Sequence, residues 1–416
     1  MTRTPTRTRR AAALSALLLP LALVAACGGS SSDSAGGGDS AGPLKLTALD
    51  YYTDEPSHGD TQKRLQDCAT KEGATITQSS VPSAQYNAKV LQQVSTKSLP
   101  DVLMVNNPDL PQFASTGALT PLSDLGVDTS AYLPSVLTTG QYEGKLYGLA
   151  PNVNTLVLFY NKTMLDQAGV AVPTTWSELE TAAQELTTPD HYGFTYSAST
   201  GTEGTWTFIP FLWSNGGSQL ELTAPAAQEA LSFYTGLATK GYVSKSVVNW
   251  TQADAKDQFA AGKAAMMING PWQIPSLKET AGLDWATTTI PVPKAGDTPV
   301  APLGGELWTV PRSGGAREKA AAKVVQCLNA PDTQLTMALS SNTVPSDKTA
   351  AQQLAQQQPD MTSIVDTVGT AKALTGDSGL KWPKVDAALS TAIEAVISGQ
   401  ASVPDALKTA QAQVDG

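Results

Sequence analysis

Few residues in this sequence are suited to acid-base or nucleophilic chemistry. Its two histidines, His58 and His191, are each flanked by residues typical of turns, which favours surface loops over a catalytic role. The motifs HExxH, CxxC and GxxxxGKS/T do not occur, so the usual zinc-protease, thiol-redox and phosphate-loop sequences are missing. A lone SxxK at Ser378–Lys381 lacks the KTG that accompanies it in penicillin-recognising enzymes, and we attribute it to chance.

Paired carboxylates are the remaining option for an enzyme. Hydrolysis of a glycosidic bond requires two acids that face each other across a cleft, and Glu203 and Glu306 are open to that interpretation. Because no other catalytic set is present, catalysis is the weaker hypothesis. We expect no enzyme activity, no catalytic residue, no metal site and no cofactor, and we retain a glycosidase as a lesser alternative.

The N-terminal residues predict export and attachment to a membrane. Residues 1–26 combine four arginines with an apolar run that is too short to span a bilayer, which is typical of a signal peptide. Val24-Ala25-Ala26-Cys27 is typical of a lipobox, whose cysteine takes a diacylglycerol and becomes the mature N-terminus. Residues 27–43 are rich in Gly, Ser, Ala and Asp and predict a flexible tether. We expect an extracytoplasmic protein that the lipid on Cys27 holds at the outer face of the cytoplasmic membrane.

Composition limits the partners of the exported chain. Without the four arginines of the signal, 23 basic residues face 37 acidic ones, a formal charge of −14 that disfavours nucleic acid as a partner. A chain of 416 residues with 41% hydrophobic content is long enough for two or three domains. Cys68 and Cys327 lie in a compartment that permits disulfides; a bridge between them and two buried thiols in separate helices both remain open.

The elements after the tether predict a sheet that places polar residues at one edge. Strands and helices alternate over residues 44–105 as β-α-β-α-β, which builds a parallel sheet with helices on both faces. Ligands of such sheets bind beyond the carboxyl ends of the strands, here Asp50-Tyr51-Tyr52 and Asn106-Asn107-Pro108-Asp109. A second set of elements follows, and the strand at 304–310 is a candidate to return to the first sheet.

Five segments, in order, resemble the extracellular solute-binding proteins of family 1, which include maltose-binding protein and deliver carbohydrates to ABC importers. They are LPDVLMVNNPDLPQFASTGALTPLSD, GKLYGLAPNVNTLVLFYNKTMLDQAGVAVPTTWSELETAAQELT, QFAAGKAAMMINGPW, PLGGELWTVP and ALSTAIEAVISGQASVPDALKTA. The resemblance implies an α/β type II periplasmic binding protein fold, in which a hinge joins two lobes around a ligand cleft. We expect lobe 1 to comprise residues 44–153 plus 294–312, and lobe 2 to comprise 157–290 plus 315–416.

The same resemblance implies a function. We expect a lipoprotein that captures a mono- or oligosaccharide between the lobes and delivers it to the permease subunits of an ABC importer. It implies a monomer whose lobes close at a hinge near residues 153–157 and again near 291–293. A binding protein for amino acids or peptides is the main alternative, although Arg64, Arg312 and Arg317 lie in helix-like or loop segments.

A sugar presents hydroxyls at its edge and apolar C–H groups on its faces, which favour carboxylates, amides and aromatic rings. On this basis and by resemblance, eleven residues are expected to bind ligand: Tyr52, Asn107, Asp109, Asn154, Glu203, Trp206, Trp213, Trp272, Gly305, Glu306 and Trp382.

Several of these roles have an alternative. Glu203 would also interact favourably with a helix dipole, and the Gly304-Gly305 pair would equally mark a bend. One of Trp206 and Trp213 would belong to the core. Asn106 competes with Asn107 and Asp109 for the ligand contact.

Overall fold

Two β-sheets organise the chain, and the computed structural model describes residues 43–53, 55 and 57–416 of it. The expected signal peptide and Cys27 lie outside these residues, as does the tether up to residue 42, so those expectations stay predictions. Within the described residues, the strands are β1 Leu44–Asp50, β2 Ala74–Ser80, β3 Val102–Asn106, β4 Gln141–Tyr142, β5 Lys145–Leu146, β6 Gly148–Leu149, β7 Asn152–Val153, β8 Val157–Asn161, β9 Tyr192–Thr195, β10 Ala264–Asn269, β11 Trp285–Thr288, β12 Pro302–Leu303, β13 Glu306–Thr309, β14 Val344–Pro345 and β15 Lys372–Ala373.

Helices connect and cover these strands, and several begin at residues that cap them. Thr175 and Glu178 form a capping box at one helix start, and Thr251 and Asp254 form another. The helices are α1 Ser57–Lys71, α2 Ser83–Thr96, α3 Leu110–Ser115, α4 Pro134–Leu137, α5 Lys162–Ala168, α6 Trp176–Glu185, α7 Thr202–Ser214, α8 Pro225–Thr239, α9 Gln252–Ala260, α10 Ile274–Lys278, α11 Gly315–Leu328, α12 Pro331–Ser341, α13 Lys348–Gln357, α14 Thr362–Thr370, α15 Thr375–Ser378, α16 Trp382–Ile397 and α17 Val403–Asp415.

The first sheet has the strand order β2-β1-β3-β13-β6. Strands β1, β2 and β3 run parallel, whereas β13 pairs antiparallel to β3 and brings the chain back to this sheet. Met104 on β3 packs toward α1 and α11, while Leu103 and Val105 pack toward α2 and α3. Helices therefore cover both faces, as the β-α-β-α-β pattern predicts.

The second sheet has the order β11-β8-β10-β9 and forms the centre of the other lobe. Strand β8 is buried on both faces: Leu158 belongs to the cluster under α6, α7, α8 and α16, and Phe159 packs with α9 and α10. A strand covered on both sides has no polar face, which explains the continuous apolar run in its sequence.

Two of the segments that cross between the lobes run side by side, and a third crossing follows later, because α11 packs on the first sheet and α16 lies in the core of the second lobe. Asn154 and Gly304 exchange backbone hydrogen bonds of 3.1 and 2.9 Å, and the Thr155 hydroxyl donates to the Pro302 carbonyl at 2.8 Å. The expected second crossing at 291–293 is wrong, because Val292 is hydrogen-bonded to Thr174 and Trp176 within the second lobe. The chain crosses at residues 302–306 instead.

Helix α11 also differs from the expected lobe division. The expected division places residues 315–328 in lobe 2, but their apolar side chains pack with β1, β3 and α1 of the first lobe. A disulfide joins Cys68 on α1 to Cys327 on α11, so the bridge, and not the pair of free thiols, is present in the structure. Helix α11 lies there because α1 alone would leave part of this face of the first sheet exposed, and a second helix beside α1 buries it. The remaining lobe boundaries stay a prediction.

No helix among the described residues is long and apolar enough to cross a membrane.

Candidate functional site

A cavity of about 140 Å³ lies at the carboxyl edge of the first sheet and contains three of the expected ligand-binding residues, Tyr52, Asn154 and Glu306. Tyr52 follows the end of β1. Glu306 reaches the same edge because it begins β13 and pairs with Asn106, the last residue of the antiparallel neighbour β3. The cavity therefore occupies the place where ligands of open α/β sheets bind.

The Glu306 carboxylate is positioned by two tyrosines. The Tyr51 hydroxyl donates to Glu306 Oε1 at 2.7 Å, and the rings of Tyr51 and Tyr52 meet edge to face with centroids 5.3 Å apart. Burial raises the pKa of Tyr51 and Tyr52 well above their ordinary value, and the negative charge of Glu306 raises both further. The tyrosines therefore remain neutral hydrogen-bond donors beside an acceptor carboxylate.

The glycine pair at 304–305 permits the two crossing segments to approach each other. Gly305 has φ +130°, and a Cβ there would lie 2.8 Å from the carbonyl oxygen of Asn152. Asn107, fully buried, donates from Nδ2 to the Leu303 and Gly305 carbonyls at 3.1 and 3.2 Å. The missing side chain of Gly305 therefore makes room for the backbone at Asn152, and Asn107 braces this loop.

Trp206 on α7 packs against the same loop. A Cβ on Gly304 would meet Trp206 Cη2 at 2.8 Å and Asn154 Oδ1 at 2.1 Å, so the indole and the amide flank this glycine. Trp206 is 9% exposed, and its Nε1 has no partner among the described residues. A buried indole N–H normally finds an acceptor, so this unpaired N–H is an exception among the described residues.

A second set of expected residues lies at the carboxyl end of β10. Glu203 is exposed in the first turn of α7, and its Oε2 accepts from the Gln252 backbone N–H at 2.7 Å, at the start of α9. Asn269 donates to the Gln252 carbonyl at 2.8 Å and accepts from the Gly270 N–H at 2.9 Å. The half-buried ring of Trp272 lies over Gly270, which has no side chain to obstruct it.

Two further expected residues, Trp213 and Trp382, lie apart from these two sets, and a third, Asp109, is not among the residues that line the cavity at Glu306. Trp213 donates to Gln219 Oε1 at 2.7 Å and lines a different cavity, beside the β4–β5 hairpin. Trp382 is 3% exposed and packs into the core of the second lobe at the start of α16. Burial raises the pKa of Asp109, and hydrogen bonds from Asn87 and Asn106 oppose that rise.

Sequence reasoning missed several residues of the cavity at Glu306. Arg64 lines it from α1, whose sequence carries no binding motif, and Asn152 lines it from β7, two residues before Asn154. Tyr51, adjacent to the expected Tyr52, makes the direct bond to Glu306. Only Tyr51 had a sequence signal, since it follows a strand at the ligand edge.

No group of three or more His, Cys, Asp or Glu side chains among residues 43–53, 55 and 57–416 is arranged to hold a metal ion. The two candidate catalytic carboxylates belong to different sets: Glu203 caps α9, while Glu306 is bonded to Tyr51.

A family model described as bacterial extracellular solute-binding protein matches residues 63–363. The chain belongs to this family. The resemblance noted in the sequence is thereby confirmed, and membership places the solute-binding protein outside the cytoplasm.

Relatives of the solute-binding protein are distant in sequence. A binding protein of Brucella abortus is 24% identical over 268 residues, which cover 62% of this chain but only 65% of that relative. The maltooligosaccharide ABC transporter solute-binding lipoprotein of Streptococcus pneumoniae is 25% identical over 350 residues, 78% of each chain.

The solute-binding protein shares its fold with solved structures. The cyclic alpha-maltosyl-1,6-maltose binding protein from Arthrobacter globiformis superposes with a TM-score of 0.79 at 23% identity, covering 90% of this chain and 98% of the other. The expected fold class, two α/β lobes of the type II periplasmic binding protein kind, is confirmed.

Proposed function

We propose that this protein captures a carbohydrate, a mono- or oligosaccharide, and delivers it to the permease subunits of an ABC importer. The observation that carries the proposal is the Glu306 carboxylate, which Tyr51 holds at 2.7 Å in a cavity at the ligand edge of the first sheet. The Streptococcus pneumoniae relative, named for maltooligosaccharide, supports the same class of ligand.

The chemistry of the site suits a neutral polyhydroxy compound. Glu306 and Asn154 line the cavity and offer acceptors for sugar hydroxyls, and the ring of Trp206 borders the site because it packs at Gly304 beside Asn154. The half-buried ring of Trp272 offers a flat apolar face to sugar C–H groups. Asn107 supports the site through its bonds to the Leu303 and Gly305 carbonyls and makes no direct contact, whereas Trp213 and Trp382, which lie apart, are not proposed as contacts.

Closure of the lobes follows from the way the chain crosses between them. Backbone bonds join Asn154 to Gly304, and Lys372 to Ala301, so the crossing segments lie against one another and form the connection about which the lobes rotate. A ligand that touches both lobes binds the closed state better and shifts the population toward it. In this proposal the protein performs no reaction and requires no cofactor.

The proposal includes the cellular setting. The partners are the carbohydrate, the permease and, through the lipid on Cys27 alone, the outer face of the cytoplasmic membrane; the protein acts as a monomer. Cys27 lies outside the described residues, so the anchor rests on the lipobox sequence.

One observation favours a second candidate, a receptor for amino acids or peptides. Arg64 lines the cavity and is a suitable partner for a ligand carboxylate. The carboxylates of Asp60 and Glu306 line the same cavity and disfavour an anionic group there. We therefore rank this candidate second.

A thermal-shift screen against neutral sugars, acidic sugars and amino acids tests the proposal. Saturating ligand at a hundred times its Kd adds roughly 2.7 kcal/mol to the free energy of unfolding, which the melting temperature reports. We expect a neutral mono- or oligosaccharide to raise the melting temperature most. A panel in which only amino acids or peptides do so would overturn the ligand class, and release of reducing sugar from a bound oligosaccharide would overturn the absence of catalysis.

A further inference from the structure

A closed ring of hydrogen bonds holds the segment after β1 at the ligand edge of the first sheet. Asp50 Oδ1 accepts from the Tyr52 backbone N–H at 3.0 Å and from the Ser80 hydroxyl at 2.8 Å. His58 Nδ1 lies 2.9 Å from the Tyr52 carbonyl oxygen and 3.2 Å from Ser80 Oγ. We propose that His58 is a positioning residue for Tyr52, and that protonation of its ring tightens the binding of carbohydrate. This inference rests on the proposed function, because it assigns a pH-dependent control to the same site.

The ring connects three elements that meet at this edge. Asp50 ends β1, Ser80 ends β2, and His58 lies in the first turn of α1. Tyr52 and the first turn of α1 both line the cavity at Glu306. The ring therefore fixes two walls of the cavity relative to each other. A ligand that binds this ordered arrangement better than a looser one responds to anything that stabilises the ring.

The geometry of the ring assigns the proton of neutral His58 to Nδ1. A carbonyl oxygen only accepts hydrogen bonds, so the nitrogen that lies near the Tyr52 carbonyl carries the hydrogen. The Ser80 hydroxyl donates to Asp50 and therefore accepts from His58. A second proton goes to Nε2, and the bonds from Nδ1 then become charge-assisted, which makes them roughly twice as strong. Histidine is the side chain whose ordinary pKa, about 6.5, lies close to neutral pH.

The carboxylate of Asp50 is the negative group of the ring. It is fully buried at the end of β1, and Gln78 Nε2 donates to its Oδ2 at 2.6 Å. Burial raises the pKa of Asp50, and its hydrogen bonds and a positive charge on His58 oppose that rise. A protonated His58 therefore stabilises the carboxylate that accepts from the Tyr52 N–H.

Helix α1 contributes charges of both signs near His58, whereas β2 presents neutral side chains to the ring. Glu55 accepts from the Gly59 N–H at 3.0 Å, and Asp60 lies in the first turn, so both carboxylates offset the positive end of the helix dipole. Arg64 supplies a positive charge at the cavity. Ordinary carboxylates and guanidinium groups keep their charge between about pH 5.5 and about pH 8, so a histidine is the group expected to change charge there.

Calorimetry of maltotriose binding at about pH 5.5 and about pH 8 tests the inference on the full chain. The unaltered protein should bind about fivefold more tightly at the lower pH, as expected when one hydrogen bond becomes charge-assisted. His58→Asn places an amide nitrogen near the position of Nδ1, so it keeps a donor for the Tyr52 carbonyl and removes the titration. This variant should match the unaltered protein at the higher pH and show no gain at the lower one. His58→Ala removes the donor and should bind more weakly at both.

His191→Asn is the matched control. His191 is the other histidine of the chain and lies immediately before β9 of the second lobe, where its carbonyl accepts from the Thr188 N–H at 2.9 Å. This variant should keep the full pH dependence of the maltotriose affinity. Melting temperatures at both pH values establish that each variant is folded.

The outcomes separate this inference from the proposed function. Equal or weaker binding of maltotriose at the lower pH by the unaltered protein would overturn the inference and leave carbohydrate binding intact. A gain that persists in His58→Asn would belong to another group, such as Asp50, and would overturn the role of His58. An unchanged Kd in His58→Ala at both pH values would overturn the positioning of Tyr52. If maltotriose binds at neither pH, the inference as stated is wrong, and the thermal-shift panel decides separately whether carbohydrate binding falls with it.

Discussion

The Tyr51 hydroxyl donates to Glu306 Oε1 at 2.7 Å, although 255 residues separate the two along the chain. Tyr51 follows the first strand of the sheet, and Glu306 begins the strand that returns to the sheet from the second lobe. The bond therefore connects the ligand edge to a crossing segment. A carboxylate held in this way keeps its remaining lone pairs directed at the cavity.

Substitution of this pair should weaken carbohydrate binding. Glu306→Gln replaces charge-assisted hydrogen bonds to sugar hydroxyls with neutral ones. Each charge-assisted bond is worth about 1.5–3 kcal/mol, so loss of one should raise Kd roughly ten- to 150-fold. Tyr51→Phe removes only the positioning bond, and we expect a loss of about 0.5–1.5 kcal/mol. Calorimetry of both variants measures these losses.

Tyr86→Phe is the control for this pair. Tyr86 packs edge to face on Tyr51, but its hydroxyl donates to the backbone carbonyls of Leu49 and Met104. It should lower stability and leave Kd unchanged. Equal affinities for Glu306→Gln and the unaltered protein would show that the cavity is not the ligand site.

Trp272→Ala should remove most of the sugar affinity without unfolding the protein. A central aromatic anchor is commonly worth 2 kcal/mol or more, roughly thirtyfold in Kd. Trp272 lies in the single 3₁₀ turn Pro271–Gln273 after β10, and its half-buried ring lies over Gly270 at the edge of the lobe core. Calorimetry and the ligand-induced change in tryptophan fluorescence both report the loss.

Trp176→Ala is the matched control for this tryptophan. Its ring stacks on Phe233 with centroids 4.6 Å apart, so its loss should lower the melting temperature and spare affinity. An unchanged Kd in Trp272→Ala would mean that Trp272 only packs.

Loss of the disulfide should destabilise the protein strongly. The bridge closes a loop with a sequence separation of 259 residues, and the chain-entropy model gives about 5 kcal/mol for a loop of this length. Urea unfolding of Cys68→Ser/Cys327→Ser measures the loss. Thiol titration of denatured, unreduced Cys27→Ser provides the check, because two reactive thiols there would contradict the bridge.

Asp109 should make the free energy of unfolding fall as pH rises, which is the opposite of the effect of a carboxylate whose pKa is lowered in the folded protein. Burial raises its folded pKa above the ordinary value of 3.8, so its contribution is fully present below that value and is lost as pH rises through the raised pKa. The free energy of unfolding of the unaltered protein, relative to Asp109→Asn, should therefore fall in urea titrations as pH rises from the ordinary pKa of 3.8 through the raised one.

Asp128 supplies the control of opposite sign. Backbone and side-chain hydrogen bonds from Ser130 lower its pKa, so its contribution is present above the ordinary value and is lost as pH falls. Relative to Asp128→Asn, the unaltered protein should lose stability on acidification. The same pH slope in both comparisons would contradict the assigned directions.

Cys27→Ser should release the protein from the membrane without affecting sugar binding. The lipid on Cys27 is the only anchor that we propose, and the tether separates it from the first strand at Leu44. Membrane fractionation measures the release, with carbohydrate binding by the soluble fraction as the control. Retention of Cys27→Ser in the membrane fraction would refute the lipid anchor.

Local chemistry in the sequence determined the elements and their order. Alternation predicts β1, and the β-α-β-α-β pattern predicts the parallel strands at 44–105. These features depend on neighbours within a few residues. For the same reason the sequence placed Tyr52 and Asn107 at strand ends near the ligand edge.

Only the tertiary structure decided which distant residues meet. Trp206 and Trp213 lie seven apart on α7, so helical periodicity treats them alike. The fold sets Trp206 against Gly304 and bonds Trp213 to Gln219 near another cavity. Their partners come from other elements, and spacing within one helix carries no information about them.

The same limit explains the placement of α11 and of Arg64. Helix α11 is amphipathic, and so is α1, which carries Arg64. The pattern of an amphipathic helix shows that one face is buried but not against which sheet it packs. Packing against β1 and β3 assigned α11 to the first lobe, and the approach of α12 to α1 enclosed Arg64 in a cavity. Contacts between elements far apart in sequence fix these positions. The free energy of burying an apolar face depends on the area that is covered and not on which segment covers it, so the pattern of one helix does not identify its partner.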